Sequence, residues 1–462
     1  MEKTINRGFY RLYHNEMKGR NLLSKVLKPL NEYRHLKVGD KQPKKVEEMS
    51  AKSHRMLVDY GLLKPCHQGS YAYMPFALRS LAKLEKLIDE ELSQIDCQKI
   101  MLPSMTEGNL WKKSGRWKLV DDELFKLKTR RGHDFVLGPT FEEAVTELIA
   151  NLGKIPYKSC PIRLYQISPK YRDEMKSKFG LIRSREFIMK DLYTFDTSVE
   201  AAKNTYSQVR SVYDKIFNRL NVPYVSVQGD TGSIGGTVSH EYHFISQIGQ
   251  DELVLCQNCG YGANLELITD GGKICPSCGN SELQISKGIE VGHTFFLGDK
   301  YSKIFGAKFI QKNGKPEVLE MGCYGIGVSR ILAASLEVLS NESELSWPAE
   351  IVPYQVVLIA PKGGSNESKA IAEVNALYDQ LNSQETFKND IIIDDRYNLT
   401  VGKKLKEAKE TGYSHIVLFG KDCIDERNPV VELYNTSAGT MIKLPVNQVM
   451  YHFETLTNSQ NI

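Results

Sequence analysis

The hydrophobic positions along the chain predict a long helix followed by antiparallel strands. Residues 76–95 show a helical period, because apolar side chains recur every three or four positions on one broad stripe. The stripe consists of Leu78, Leu81, Leu84, Leu87, Ile88, Leu92 and Ile95. A short strand-like run from Lys99 to Met105 comes next. From about 160 to 195 the period changes to two, which predicts long antiparallel strands. A second helix is expected over about 198–220, ending near Pro223.

The rest of the chain shows two kinds of organisation, separated by a short polar stretch. Glycine-rich turns cluster at 229–236 and 259–280, and a further helix is expected to begin near Gly327. The polar stretch Asn341–Pro348 then interrupts the pattern, and we place the last domain boundary there. Beyond it, apolar strands alternate with helical stretches, which predicts a small α/β domain with a mixed sheet. The strands are expected at Gln355–Ala360, Asp390–Ile393 and His415–Phe419, and the helices at 365–383 and 400–411.

Length and composition are those of an ordinary globular protein with more than one domain. The 462 residues are too many for one compact core, and the 41% hydrophobic and 25% charged residues are unexceptional. We find no run of eighteen or more apolar residues, so no membrane span is expected. The net charge of +4 permits a polyanionic partner without arguing for one. Nine cysteines without a secretory signal favour a reducing compartment over a disulfide framework.

The amino-terminal residues 1–45 form a basic segment. They carry twelve Lys or Arg and four acidic residues, and the basic side chains are interleaved with apolar ones. A basic, acid-poor and amphipathic start is typical of a mitochondrial transit peptide, although Glu2 and Glu16 are unusual in one. The alternative is a disordered basic arm that contacts RNA. The first interpretation predicts a protein of the mitochondrial matrix.

The segment from Pro161 to Phe195 carries the densest set of charged side chains with a strand period. Arg172 and Glu174 are two positions apart, which on a strand directs both to one face. The return strand is expected to alternate in the same way, so that one of its faces carries Arg183, Arg185, Phe187, Met189 and Asp191. Between the two strands, Met175–Ile182 is expected to form a basic loop. Guanidinium groups bind phosphate and an aromatic ring can stack on a base, but a solvated strand face with salt bridges would show the same pattern.

Four cysteines in the region 248–286 have the spacing of a metal site. Cys256 and Cys259 form one Cys-x-x-Cys pair and, fifteen residues further on, Cys275 and Cys278 form a second. Two such pairs, each followed by glycine, suit four thiolates around a tetrahedral zinc ion. The segment is too short for a hydrophobic core of its own, so a metal ion would stabilise it. Redox-active dithiols or loops without metal are the alternative.

Two segments resemble the signature motifs of the class II aminoacyl-tRNA synthetases. Tyr171-Arg172-Asp173-Glu174 is similar to the core of motif 2, and Gly322-Cys-Tyr-Gly325-Ile-Gly327-Val-Ser-Arg330 is similar to motif 3. The resemblance implies that Arg172 binds the α-phosphate of ATP and the substrate carboxylate, and that Arg330 binds the γ-phosphate. It further implies contacts to adenine from Glu174 and Phe187, and a phosphate contact from Arg183.

The helix at 76–95 and the strand that ends at Pro103 resemble motif 1 of the class II synthetases. In the class, this motif builds a homodimer interface, whereas a plain core helix would show the same pattern.

The segment Gly138-Pro139-Thr140-Phe141-Glu142-Glu143 resembles the loop with which prolyl-tRNA synthetases hold the imino nitrogen of proline. A hydroxyl and a carboxylate two positions apart can accept both N–H bonds of a secondary ammonium, which assigns Thr140 and Glu142 to proline. By the same resemblance, Met189, Asp191 and Cys323 lie around the proline. Thr140 followed by Glu143 also fits a helix capping box, and the two interpretations are compatible.

Further matches to this family are dense and run in the same order. They are Gly115-Arg-Trp117, Asp230-Thr-Gly-Ser-Ile-Gly-Gly236, Ser239-His240-Glu241 and Glu290-Val-Gly-His293. The chain thus resembles class II prolyl-tRNA synthetases of the bacterial and organellar type over about residues 50–455, most closely the mitochondrial members. Glu290 and His293 match positions that contact the nucleotide, although His293 could also be a structural histidine.

The resemblance implies an α+β catalytic domain at 46–345, an antiparallel sheet flanked by helices, with the zinc-ribbon-like insertion at 248–286. A C-terminal α/β anticodon-binding domain would follow at 350–462. The expected substrates are proline, ATP and tRNA(Pro), with Mg²⁺ and a structural Zn²⁺. Bacterial relatives usually carry a large domain that hydrolyses alanyl-tRNA where the cysteines stand here, so no editing in cis is expected. The alternatives are a threonyl or glycyl enzyme, or a catalytically silent paralogue that binds tRNA.

Overall fold

The computed structural model describes residues 19–28, 51–268, 274–281, 283–425 and 427–460. Helices flank two main sheets, a large central one and a smaller C-terminal one. The helices are α1 (Lys52–Asp59), α2 (Pro75–Ser93), α3 (Gly108–Ser114), α4 (Arg116–Leu119), α5 (Glu142–Asn151), α6 (Val199–Leu220), α7 (Lys300–Phe305), α8 (Val328–Leu339), α9 (Ile371–Ser383), α10 (Val401–Thr411) and α11 (Val446–Gln460).

Strands that precede or surround the central sheet form small hairpins and sheets of their own. One hairpin pairs β1 with β2, a second sheet has the order β4-β6-β5, and a third has the order β16-β15-β7. Their bounds are β1 (Leu63–His67), β2 (Ser70–Tyr73), β4 (Met105–Glu107), β5 (Phe125–Lys128), β6 (Asp134–Leu137), β7 (Ile155–Pro156), β15 (Lys308–Ile310) and β16 (Pro316–Val318).

The central sheet has nine strands, and most neighbouring pairs are antiparallel, as the period-two pattern predicts. The strands, in spatial order, are β11 (Val238–Ile245), β10 (Tyr224–Gln228), β13 (Gly262–Asn264), β12 (Asp251–Cys256), β14 (Leu283–Gly298), β17 (Glu320–Gly327), β9 (Glu186–Asp196), β8 (Ile162–Tyr171) and β3 (Gln98–Lys99). An additional pairing joins β11 to β14, so that five of the strands form a closed ring beside the flat part of the sheet.

Helices α2, α6 and α8 pack their apolar faces into the same hydrophobic core as the central sheet. The predicted stripe of α2 is mostly buried, from Leu81 to Leu92, but Leu78 is 56% exposed. At 3.6 residues per turn, Leu78 lies about a third of a turn from the centre of the buried face, so it reaches only its edge. The strand expected from Lys99 to Met105 is also divided, because β3 ends at Lys99 and β4 begins at Met105. Pro103 lies in the gap between them.

The C-terminal sheet is mixed, as predicted. Its strands, in spatial order, are β19 (Ile391–Asp394), β18 (Val356–Ile359), β20 (His415–Leu418), β21 (Val430–Asn435) and β22 (Thr440–Pro445). The first three strands are mutually parallel, and the remaining two are antiparallel. Helices α9 and α11 cover one face with an apolar layer, while Ala408 of α10 belongs to the core shared with the central sheet.

Residues 19–28, which we call the N-terminal strap, connect the two main sheets. Leu22 is buried in the core of the C-terminal sheet, while the next residue, Leu23, is buried in the core of the central sheet. Ser24 donates from its main-chain nitrogen (2.8 Å) and its hydroxyl (2.5 Å) to the two carboxylate oxygens of Asp395. The strap falls inside the segment interpreted as transit-like, whose other residues, 1–18 and 29–45, lie outside the described residues.

Within the described part of the chain, no helix is both long and apolar enough to cross a membrane. The longest helix among the described residues, α6, carries the charged side chains Lys203, Arg210 and Arg219.

Candidate active site

A cavity of about 310 Å³ opens on the central sheet where β9, β14 and β17 lie side by side. Ten of the twelve residues predicted for ATP and proline line its walls: Thr140, Glu142, Arg172, Phe187, Met189, Asp191, Glu290, His293, Cys323 and Arg330. Glu174 and Arg183 line a much smaller cavity of about 10 Å³, which shares Arg172, Phe187 and Arg330 with the large one. The structure therefore brings the predicted residues together from four separate segments of the chain.

Arg172 lies at the centre of this arrangement, but not on a strand as predicted. Strand β8 ends at Tyr171, and the main-chain nitrogen of Glu174 bonds back to the carbonyl of Arg172 at 2.8 Å. This tight turn breaks the alternation, so Glu174 points into the small cavity while Arg172 lines both. The Arg172 guanidinium lies 5.3 Å from the centre of the Phe187 ring. A cation beside an aromatic ring at a cavity wall can hold a phosphate and a base next to each other.

The predicted alternation also fails at the start of the return strand. Strand β9 begins at Glu186, so neither Arg183 nor Arg185 lies on it. The main-chain nitrogen of Arg185 instead bonds to the carbonyl of Gly69 in the β1–β2 turn, at 2.8 Å, while the Arg185 carbonyl accepts from the main-chain nitrogen of Arg172, at 2.9 Å. Arg183 donates to the Glu174 carboxylate (2.8 Å) and to the side-chain oxygen of Gln250 (2.8 Å). Its guanidinium therefore fixes the loop that carries Glu174.

Arg330, Glu290 and His293 form one end of the cavity. Arg330, in the first turn of α8, donates to both the carbonyl and the carboxylate of Glu290, at 2.8 and 3.2 Å. The other carboxylate oxygen of Glu290 is 3.1 Å from Nδ1 of His293. Burial would raise the pKa of the Glu290 carboxyl, but the hydrogen bond and charge of His293, with the charge of Arg330, hold that pKa well below its ordinary value. Glu290 therefore remains a carboxylate beside the guanidinium of Arg330 and the ring of His293.

The opposite end of the cavity is formed by the start of α5. The hydroxyl of Thr140 donates to the Glu142 carboxylate, with oxygen–oxygen distances of 2.8 and 2.9 Å. The helix begins at Glu142 with Phe141 as the N-cap, and no side chain caps it, so the capping-box interpretation of Thr140 is wrong. The main-chain nitrogen of Phe141 donates instead to the hydroxyl of Tyr193, at 2.8 Å. Thr140 and Glu142 are thus free of a capping role and lie together on the cavity wall.

Between the two ends, a buried ion pair fixes Asp191. Its carboxylate lies 2.7 Å from Nζ of Lys170 and accepts from Gln166 (2.9 Å) and from the hydroxyl of Tyr193 (3.0 Å). Burial raises the pKa of Asp191 and lowers that of Lys170, while their mutual attraction opposes both shifts. A pair satisfied in this way cannot rotate freely, so Asp191 acts as a rigid wall.

Met189 and Cys323 form the apolar part of the same cavity wall. Cys323 lies on β17 opposite Tyr193 of β9, and it is 4% exposed. Burial and the charge of Glu142 raise the pKa of its thiol well above the ordinary value, so the thiol is neutral and packs as a small apolar group. The Met189 sulfur lies 3.7 Å from the position that a side chain at Gly325 would occupy. Apolar side chains of this kind fit the ring of a small substrate.

Sequence reasoning did not assign several groups that shape this cavity. Lys170 lies near the end of β8 and resembles a solvent-exposed charge in the sequence, and only the folded structure reveals its ion pair with Asp191. Arg116 is buried beside Glu142. The motif Gly115-Arg-Trp117 resembles the family, but the resemblance assigned no function to this arginine. The loop Asp230–Ile234 forms a further wall, as its resemblance to the family could have suggested.

The four cysteines of the insertion converge as predicted. Their sulfur atoms all lie within 4.8 Å of one another, and two pairs, Cys256–Cys278 and Cys259–Cys275, are 3.7 Å apart. Sulfur atoms around a tetrahedral zinc ion with bonds of about 2.3 Å would be about 3.8 Å apart, whereas a disulfide bond measures about 2.05 Å. The distances therefore fit a metal site and exclude disulfides among the four.

The two cysteine pairs sit on matching turns. Gly260 and Gly279, which follow the second cysteine of each pair, have φ angles of +72° and +74°, a conformation that favours glycine. The amide of each glycine bonds to the carbonyl of the first cysteine of its pair, at 3.0 and 2.9 Å. This repeated geometry presents four thiols to one point.

Comparisons with known proteins agree with this geometry. The family model of the tRNA synthetase class II core domain (G, H, P, S and T) matches residues 125–339. The fold is similar to that of Giardia lamblia prolyl-tRNA synthetase in complex with prolyl-adenylate, with a TM-score of 0.71 and 19% identity over 86% of this chain and 75% of that one. The fold and the site thus define a class II aminoacyl-tRNA synthetase.

Relatives of known name narrow the class to one family. The chain is 45% identical over 410 residues to the human protein named probable proline–tRNA ligase, mitochondrial, covering 88% of this chain and 85% of the relative. The Schizosaccharomyces pombe protein of the same name is 37% identical, covering 85% and 91%. The proline–tRNA ligase of a Wolbachia species from Drosophila simulans is 33% identical, covering 87% and 95%. The chain therefore belongs to the proline–tRNA ligase family.

Proposed function

We propose that the chain activates L-proline with ATP to form prolyl-adenylate, and then transfers the prolyl group to the 3′ end of tRNA(Pro) in mitochondrial translation. The observation that carries this proposal is the single cavity with two chemically different ends. One end holds Thr140 and Glu142, which suit a secondary ammonium. The other holds Arg330, Glu290 and His293, which suit a nucleotide, and Arg172 lies between them.

At the first end, the Glu142 carboxylate and the Thr140 hydroxyl are placed to accept the two N–H bonds of the proline nitrogen. The distance between them, 2.8 Å, lets both reach one small group. Met189, Asp191 and Cys323 surround the pyrrolidine ring, and the guanidinium of Arg172 binds the proline carboxylate.

At the second end, Arg172 and Arg330 bind the phosphates of ATP. Phe187 stacks on the adenine, and Glu174, which is held by Arg183, accepts from the amino group of that base. Glu290 and His293 contact the nucleotide on the opposite wall.

The chemistry consists largely of positioning and charge stabilisation. A carboxylate oxygen of proline attacks the α-phosphorus in line, the bond to the β-phosphate oxygen breaks, and pyrophosphate leaves with the electron pair. Arg172 and Arg330 offset the charge that develops on the phosphoryl oxygens. In the second step, a hydroxyl of the terminal ribose of tRNA attacks the prolyl carbonyl, and AMP leaves.

Two metal ions fit the residues present. Mg²⁺ prefers carboxylate and phosphate oxygens, and the ionised Glu290 on the cavity wall is a suitable protein ligand that leaves the rest of the coordination to ATP. When bound, Mg²⁺ would neutralise charge on the phosphates. Zn²⁺ would be held by Cys256, Cys259, Cys275 and Cys278, and four thiolates leave no open position, so its role is structural.

The cysteine-bound insertion occupies the place in the chain where bacterial relatives hydrolyse alanyl-tRNA. We propose that this enzyme does not edit in cis and selects proline in the first cavity alone. A pocket can reject a smaller side chain by only about 1–3 kcal/mol for each missing methylene, so slow activation of alanine is expected.

The remaining proposals concern assembly and place. We propose a homodimer built on α2 and the chain that follows it, where Leu78, Met101 and Met105 are exposed apolar side chains. The C-terminal α/β unit would bind the anticodon. The mitochondrial names of the human and fission-yeast relatives support the mitochondrial matrix as the place of action.

Aminoacylation of a mitochondrial tRNA(Pro) transcript with radiolabelled proline tests the complete reaction. The proposal expects charging of this transcript and none of a mitochondrial tRNA(Thr) or tRNA(Gly) transcript. The proposal would be overturned if the enzyme charged tRNA(Thr) with threonine, or tRNA(Gly) with glycine, in preference to charging tRNA(Pro) with proline.

A further inference from the structure

Arg116 is a buried charge beside the cavity for which the proposed reaction has no role. It is the first residue of the short helix α4, and Gly115 before it has a φ of +81°, which turns the chain sharply out of α3. Only 4% of Arg116 is exposed. Burying an arginine is costly unless its charge is paired, so its partners indicate why it is there.

The partners are two consecutive carboxylates. Nη1 of Arg116 lies 3.0 Å from the carboxylate of Glu142 and 3.2 Å from both oxygens of Glu143. Glu143 also accepts from the hydroxyl of Ser114 at 2.8 Å, so it is fixed from two sides. Glu142 and Glu143 are 2% and 1% exposed, and of the two only Glu142 lines the cavity.

The electrostatics of this group depend on the arginine. Two carboxylates so close together in a buried site repel each other, and one of them would take up a proton if nothing compensated the charge. Burial raises the pKa of Glu143, and the charge of Arg116 opposes that rise.

We propose that Arg116 is a positioning residue for proline, because it holds the Glu142 carboxylate in place as the acceptor for the imino nitrogen. This inference rests on the proposed function of Glu142. Arg116 lies at the cavity wall but acts through Glu142 and not on the substrate itself. Ser114 holds Glu143, Glu143 holds the guanidinium, the guanidinium holds Glu142, and Thr140 completes the orientation of that carboxylate from the cavity side. The Gly115-Arg-Trp117 motif then sets the specificity of the site without lining a subsite of its own.

The test compares Arg116→Gln, Arg116→Lys and Glu143→Gln with the wild-type enzyme in ATP–pyrophosphate exchange. Arg116→Gln should raise the KM for proline by about tenfold or more, the cost of one misplaced charge-assisted hydrogen bond, and leave the KM for ATP within about twofold. Arg116→Lys should recover part of the loss, because it keeps the charge without the planar fork. Glu143→Gln should raise the same KM by a smaller factor, and it serves as the readout if Arg116→Gln does not fold.

A second readout separates positioning from general distortion. Tetrahydrofuran-2-carboxylate has a ring oxygen in place of the imino nitrogen, so its inhibition constant should not change in Arg116→Gln. The matched control is Arg219→Gln, which removes an arginine paired with Glu90 and Glu91 away from the cavity. This control is expected to lose some stability and to keep the wild-type KM for proline.

Three results would overturn the inference. The first is that the KM for proline of Arg116→Gln and that of Glu143→Gln both stay within about twofold of the KM of the Arg219→Gln control. Another is an equal loss of affinity for proline and for the oxygen analogue, which would show distortion. If the wild-type enzyme gives no proline-dependent exchange at all, the proposed function itself fails, and the inference with it.

Discussion

Arg330 donates from one guanidinium nitrogen to two atoms of Glu290, the main-chain carbonyl at 2.8 Å and the carboxylate at 3.2 Å. The bond to the carbonyl ties the first turn of α8 to β14, so the guanidinium position is set by two elements of the fold. The bond to the carboxylate fixes the direction of the side chain. Arg330 is therefore organised at the cavity wall before any ligand binds, which is the condition for efficient charge stabilisation.

Replacing Arg330 with alanine should abolish most of the adenylation activity. Removal of one preorganised charge donor costs about 100- to 1,000-fold in rate, and we expect a loss of this size in kcat/KM for ATP–pyrophosphate exchange. Proline binding, measured by calorimetry, should change by less than about threefold, because Thr140 and Glu142 lie at the opposite end of the cavity. Arg55→Ala, which removes an arginine paired at the surface with Glu342, is the control. Exchange within tenfold of that control would contradict the role given to Arg330.

The cysteine cluster predicts one zinc ion per chain. Mass spectrometry of the purified protein should find zinc at a ratio of about one, and Cys256→Ser should lower both the zinc content and the melting temperature, since a structural metal contributes directly to folding. Cys66→Ser, at an exposed cysteine outside the cluster, is the matched control and should change neither. Zinc-free protein with the same melting temperature as Cys66→Ser would show that the four thiols bind no structural metal.

The N-terminal strap predicts where the chain can be shortened. A protein that begins at Gly19 retains the bonds from Ser24 to Asp395 and from Arg20 to Asp379, whereas one that begins at Pro29 loses them. Asp395 is 3% exposed, and leaving it without those donors costs about 1–3 kcal/mol. We therefore expect the shorter protein to melt several degrees lower than the longer one. Equal melting temperatures would show that the strap does not stabilise the fold.

His54 predicts a loss of stability in acid. Its ring is 7% exposed, neither ring nitrogen has a hydrogen-bond partner, and burial lowers its pKa to about 4 from 6.5. Between these values the unfolded chain binds a proton that the folded chain does not, so stability falls as the pH drops from 6.5 toward 4. At pH 5 the contribution of this group is a loss of about 2 kcal/mol relative to pH 7.5.

His54→Leu removes that proton site and tests the linkage. Urea unfolding at pH 7.5 and pH 5.0 should show a smaller decrease in stability for the variant than for the wild type, by about 2 kcal/mol. The comparison is between the two decreases, so the contributions of other titrating groups cancel. Equal decreases in the two proteins would contradict the account of His54.

The order of elements was predictable from the sequence, whereas several of their ends were not. Periodicity identified α2, α6 and the strands of the central sheet, because one face of each is apolar. It could not place the ends of β8 and β9, since these depend on a turn at Arg172 and on a bond between Arg185 and Gly69 that is distant in sequence. The exposed Leu78 was misassigned for a similar reason, because the exact boundary of a buried face depends on its neighbours.

The site was predicted mainly through motifs, and the limits of motifs appear in it. They identified the residues at the cavity walls, but not the supporting groups, which have no motif of their own. Lys170 and Tyr193 fix Asp191 through side-chain contacts that only the folded sheet reveals. Arg116 is a partial exception among the supporting groups, because it lies in a recognisable motif. Its partners, Glu142 and Glu143, lie 26 and 27 positions further along the chain, so the motif did not reveal them.

The central claim is that this cavity activates proline, and ATP–pyrophosphate exchange measured with each of the twenty amino acids tests it most directly. The account predicts that proline supports the fastest exchange, with alanine a weak second because it fits the same cavity less well. Exchange supported better by threonine, glycine or any other amino acid, or by none, would contradict it.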